Sequence, residues 1–119
     1  MPASPMTESR RIFTYEEALA TFPLVQRLTR EAVHQVESLF QRVQSQDELD
    51  DRHAELESAT QSIVDAWATQ IEGLGCQVKG LWLVDFDSGS GYYCWRYPEE
   101  SLAHFHGYEE GFAGRMPIQ

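Results

Sequence analysis

A change of hydrophobic period part-way along the chain decides most of what it can fold into. Val25, Leu28, Ala32, Val36, Leu39 and Val43 recur at steps of three and four, with Val33 and Phe40 widening the stripe. After Gly75 that period stops, and "QVKGLWLVDF" and "GYYCWRY" follow as short β-branched and aromatic runs. The first pattern keeps one face of a 3.6-residue helix apolar, whereas the second suits pleated strands. Helices that precede strands, instead of alternating with them, predict an α+β protein and not a doubly wound parallel sheet.

The helical part carries its own punctuation. Thr14 and Glu17 have capping-box spacing and Phe13 can staple the entry, so a short helix is predicted from Tyr15 to about Thr21. Pro23 then kinks that helix or opens a second one at its first turn. The long stripe ends near Gln44. "SQDE" follows, where Ser45 and Glu48 form a second box and Asp47 adds negative charge at a helix N-terminus. Leu49, His53, Leu56, Thr60, Ile63, Trp67, Gln70 and Leu74 make the next stripe, which Gly73 and Gly75 stop. Two such helices on a short connection predict a long antiparallel helical hairpin with coiled-coil-like packing. His53 occupies a stripe position near Leu39 and His34 falls on the polar face; neither is given a role.

"DSGSG" divides the two aromatic runs and permits a tight turn, so "QVKGLWLVDF" and "GYYCWRY" are read as a β-hairpin. Pro98 to Glu100 makes a further turn, "LAHFH" a third strand, and "GYEEGFAGRMPIQ" a tail packed back on the body. The expected product is a small antiparallel β-meander. Residues 1–11, rich in Pro, Ser and charge, are read as a disordered leader. Residues 12–119 are then one domain: the hairpin over 14–75 and the sheet with its C-terminal clasp over 76–119.

Nineteen acidic residues against nine basic ones give a formal charge of −10, which repels nucleic-acid backbones and anionic bilayers. The longest apolar run, Leu81–Val84, is far too short to span a membrane. Cys76 and Cys94 are the only cysteines and have neither disulfide-framework nor metal-knuckle spacing, so both are expected reduced, in the cytoplasm.

"RIFTYEEALATFPLV" at the front, with "VKGLWLVDF", "CWRYPEE", "FH" and "GFAGRMPI" at the back, resembles the uncharacterised bacterial domain-of-unknown-function family 2203. The resemblance runs from about Arg11 to Ile118 and is most specific in the back half. It implies a helical hairpin followed by a small sheet and carries no established activity. The positions that match include Phe13, Thr14, Glu17, Pro23, Lys79, Asp85, Cys94, Trp95, Arg96, Glu99, His106, Phe112 and Arg115. Two features depart from the family pattern: a shortened stretch between Lys79 and Leu83, and a histidine at His104.

Strand alternation selects the candidate sites. If Val84 pairs with Cys94 and Cys94 with His104, then Cys94, Arg96, His104 and His106 share one face. Cys94, His104 and His106 would then offer sulfur and nitrogen ligands to zinc or iron, with a position left open. Asp85, Arg96, Glu99 and Arg115 beside "GFAGR" are either a small-anion pocket or a structural clasp in which Arg115 pairs with Glu109, Glu110 or Asp85. Cys94 as a nucleophile would need a base such as His104 and a thiolate stabiliser such as Arg96. Aromatic residues at both strand parities ask for cover on both faces of the sheet, by the helices on one side and by the tail or a second subunit on the other. The whole is read as a non-catalytic structural or protein-interaction module acting as a homodimer. The alternative is a metal- or small-anion-binding protein, or an enzyme, with its site on the C-terminal sheet.

Overall fold

The computed structural model describes residues 11–118. Three helices, α1 (Tyr15–Gln41), α2 (Gln46–Asp51) and α3 (His53–Gly73), precede five strands: β1 (Gln77–Gly80), β2 (Leu83–Asp87), β3 (Tyr92–Arg96), β4 (His104–His106) and β5 (Met116–Pro117). The strands form one antiparallel sheet in sequential order. The α+β class and the helices-then-sheet order are as the sequence predicts. The leader assigned to residues 1–11 lies outside the described residues apart from Arg11, whose guanidinium donates to the Leu74 carbonyl and lies 4.0 Å from the Phe13 ring centre.

Thr14 and Glu17 close the capping box: the Thr14 hydroxyl accepts from the Glu17 amide and the Glu17 carboxylate accepts from the Thr14 amide. From there α1 runs through Pro23 without a second start, so the short helix ending near Thr21 is corrected to one helix of 27 residues. Proline removes the hydrogen bond that Leu19 would have received, but Leu19 and Pro23 both face solvent, where water can serve that carbonyl. Phe22 and Val25, buried on the opposite side, hold the two halves in line. At the far end Ser45 caps α2 as expected, while Glu48 reaches past it to the Gln44 amide. The second helix is not continuous. It breaks at Arg52, whose side chain bridges Glu48 and Glu55 across the break, and α2 buries nothing that would hold it in register with α3.

The run "QVKGLWLVDF", expected as one strand, is two. A turn at Leu81–Trp82 folds β1 back on β2, with Trp82 at φ 58°. That backbone is unfavourable for an aromatic residue, and the indole is held by edge-to-face packing on Trp67 with ring centres 4.8 Å apart. The predicted turn at "DSGSG" does join β2 and β3, where Gly89 takes φ 91°. The tail supplies a fifth strand beyond the expected three.

Directly opposed residues of an antiparallel pair project to the same face. Val84 with Trp95, and Phe86 with Tyr93 and Phe105, therefore form the inner face. Phe86 meets Phe13 edge-on at 5.3 Å, Trp95 meets Phe22 at 5.4 Å, and Ala18, Val25, Trp67 and Ile71 of the helices complete this core. Its few polar groups are satisfied: the Trp67 indole donates to the Thr29 hydroxyl, which donates to the Val25 carbonyl, and the Trp95 indole donates to the Glu99 carbonyl. The outer face carries a different set of side chains.

Candidate metal centre

The register of β2 against β3 creates the site. Cys94 lies opposite Asp85, and Val84 lies opposite Trp95, one residue away from the expected Val84–Cys94 pairing. Pairing of Cys94 with His104, and hence the alternation that puts His106 on the same face, is as the sequence predicts. The slip brings Asp85 to the Cys94 and His106 face, because a shift of one residue exchanges the faces of a strand. Gly91 lets β4 approach β3 closely, since a Cβ there would stand 2.4 Å from the Phe105 ring and 2.7 Å from the His106 carbonyl.

Asp85, Cys94 and His106 are all buried, and each offers one ligand atom such that the atoms lie within 4.8 Å of one another. His106 is oriented from both ends: Nδ1 is 2.8 Å from the Gly107 carbonyl and Nε2 is 3.0 Å from Asp85 Oδ2. A carbonyl only accepts, so Nδ1 carries a hydrogen. A neutral ring would then point the Nε2 lone pair at a carboxylate oxygen, and a hydrogen or a metal cation must lie between the two atoms. An imidazole fixed by a backbone carbonyl on one nitrogen, with the other directed into the site, is the arrangement usual for a histidine metal ligand. Lys79 Nζ lies 3.5 Å from Asp85 Oδ2. Asp85 Oδ1 is buried with no hydrogen-bond partner. An acceptor left bare in a dry interior is costly, so it asks for a cation or donor.

Burial first, and then the charge of Asp85, push the Cys94 thiol up to about 12, against an opposing pull from Arg115. Both effects favour the protonated thiol, which is the poorer nucleophile. The His106 imidazole has no nitrogen free to serve the sulfur as a base, since both are engaged. A metal ion would change that chemistry by displacing the thiol proton.

Of the expected ligands, Cys94 and His106 belong to the cluster. His104, although paired with Cys94, stands outside it with Nδ1 buried and unpartnered. Asp85, placed by sequence reasoning with the anion or clasp residues, takes its place. Within that other set Arg115 grips Glu99 with both terminal guanidinium nitrogens, Nη1 to Oε1 at 2.9 Å and Nη2 to Oε2. Its partner is thus Glu99, not Glu109, Glu110 or Asp85. Glu99 also accepts from the Arg96 amide, and the Arg96 guanidinium lies over Phe112, 5.5 Å from the ring centre. The Arg115 guanidinium also lies over Phe112, 4.1 Å from the ring centre. The turn at Phe112–Gly114 and β5 thus tie the tail to the edge of the sheet. His53 is not a core residue: it is exposed at the start of α3 and faces Glu57.

The signal for Asp85 was its place in an alternating strand, once the register is right. That for Lys79 was composition, since it is the only lysine in the chain. No helix among the described residues is long and apolar enough to cross a membrane. The family described as "Uncharacterized conserved protein (DUF2203)" matches residues 11–118. No curated protein and no solved structure matches the chain.

Proposed function

The chain belongs to that uncharacterised family, and we propose that it is a metal-binding protein in which Asp85, Cys94 and His106 hold one zinc or ferrous ion. The observation that carries this reading is the buried trio of ligand atoms within 4.8 Å of one another, with Asp85 Oδ1 lacking any partner. One oxygen, one sulfur and one nitrogen make a borderline-soft set, suited to zinc or iron and poorly suited to calcium or magnesium. Binding would form metal–sulfur, metal–nitrogen and metal–oxygen bonds and release two protons to solvent, that of the Cys94 thiol and the one held between His106 Nε2 and Asp85 Oδ2. The role is one of holding an ion, and the His106 imidazole, engaged at both nitrogens, serves as a ligand and not as a base for the thiol. A reduced thiol is needed, which fits a reducing, cytoplasmic setting.

The test is metal content per chain after expression and purification, followed by zinc titration of the metal-free protein. Wild type is expected to carry or take up close to one ion, and Cys94→Ser and His106→Gln to lose at least a hundredfold in affinity. A folded wild type that neither carries nor takes up zinc or ferrous iron overturns the proposal.

A second reading, a homodimeric interaction module without catalysis, draws on the far half of the hairpin. There the stripe is incompletely covered: Phe40 is 42 % exposed and, with Leu49 and Leu56, borders an apolar groove between α1 and the start of α3. A second copy or another protein would bury that surface, as exposed apolar patches on small proteins do. A dimer by light scattering that Phe40→Glu converts to a monomer supports it, and a monomeric wild type rules out the homodimer. The small-anion alternative has less support, because Arg115 is already committed to Glu99.

A further inference from the structure

We propose that Lys79 is a built-in competitor for the metal, occupying the cation side of Asp85 until an ion with affinity for sulfur and nitrogen displaces it; this rests on the metal-centre reading above. Lys79 comes from β1, the edge strand, and places its ammonium 3.5 Å from Asp85 Oδ2 and 3.8 Å from the Tyr92 ring centre. Its side chain is 36 % exposed while those of Asp85 and His106 are 2 % and 3 % exposed, so among these contacts it is the one that reaches water. The carboxylate is thereby neutralised from the solvent side without being enclosed, because Oδ1 is still bare.

A divalent ion at the trio would face that ammonium across a single carboxylate. Like charges so close to one carboxylate repel, so an ion at the trio weakens the hold of the ammonium on Asp85. Lysine can leave: its four-carbon stem is flexible and its charge is readily rehydrated at the surface. A hard cation such as magnesium has only Asp85 oxygens to gain and competes with the ammonium on those terms alone. Zinc gains the Cys94 sulfur and the His106 nitrogen as well. Lys79 thus sets a threshold that favours thiophilic ions.

Two measurements test this. Zinc titration of metal-free wild type, Lys79→Met and Lys79→Arg should show at least tenfold tighter binding in the methionine variant, with the arginine variant within a fewfold of wild type. Because the chain has no other lysine, the rate at which an amine-reactive reagent modifies the Lys79 peptide reports its release directly, and zinc should raise that rate in wild type. Wild-type zinc binding with equal affinity in Lys79→Met, or a labelling rate unchanged by bound zinc, overturns the competitor role and leaves the metal centre intact. A wild type that binds no zinc or ferrous iron removes the metal centre, and this inference with it.

Discussion

Val84 and Asp85 are neighbours in β2 and both are buried, 0 % and 1 % exposed, yet they face opposite chemistries. Val84 points to the helices, where nearly every contact is hydrocarbon or aromatic and the buried Trp67, Thr29 and Trp95 polar groups beside it all have partners. Asp85 points away, to a thiol, an imidazole and an ammonium, with one oxygen unpartnered. The same five strands thus make one face that stabilises by burial and one whose polar groups are incompletely matched. Burial of apolar area needs no further ligand, whereas a half-satisfied polar cluster is a cost unless something fills it. The difference makes the outer face the place to look for binding.

The sharpest way to break the comparison is to cut both faces and ask which one a metal can rescue. Phe86→Ala removes a fully buried ring against Phe13 and should cost about 3–5 kcal/mol in urea unfolding, a loss that zinc offsets only by the amount it also adds to wild type. Asp85→Asn removes the carboxylate that Lys79 Nζ and His106 Nε2 approach at 3.5 and 3.0 Å and should cost about 1–3 kcal/mol, as leaving buried polar groups without a partner does. In this variant added zinc should restore nothing. If Asp85→Asn is instead as stable as wild type, the outer face is ordinary polar packing and the contrast collapses.

Cys94→Ala is smaller in size and more selective. Loss of one buried sulfur should cost about 1 kcal/mol in the metal-free protein, within the range of small core truncations. Zinc at a hundred times its dissociation constant should add about 2.7 kcal/mol to wild type and next to nothing to the variant. The measurement is the shift of the unfolding midpoint with and without zinc. Equal shifts in both proteins would place the ion elsewhere.

The legibility of this molecule in its sequence divides along the same line. Apolar spacing at steps of three and four and the boxes at Thr14 and Ser45 announce the helices, because helix formation is a local matter. The turn at Leu81–Trp82 is hidden, since Leu and Trp are not turn residues and Trp82 is held there by Trp67, a contact across more than a dozen residues of chain. For the site, His106 and Cys94 follow from alternation and from the resemblance to the family. Asp85 does not, because a one-residue error in register moves its side chain through the sheet. A long-range pairing decided the ligand set, and local spacing does not encode it.

The smallest effect concerns the clasp that ties the tail beside the outer face. Burial alone would raise Glu99, but hydrogen bonds from Arg115 and from the Arg96 amide, together with the charge of Arg115, hold it below its ordinary 4.5. A carboxylate with a depressed folded value adds stability that is fully present above about pH 4.5 and is lost as pH falls through that lower folded value. Arg115→Met should therefore cost about 0.5–1 kcal/mol at pH 7, as expected for a partly exposed pair, and the gap from wild type should close in acid. Urea unfolding at pH 7, 4.5 and 3 reads that gap. A gap that stays constant across this range would mean that Arg115 acts through its packing on Phe112 and not through Glu99. The clasp would then be an apolar lid of the same kind as the inner face, and the charge contrast between the two sides would stop at Lys79 and Asp85.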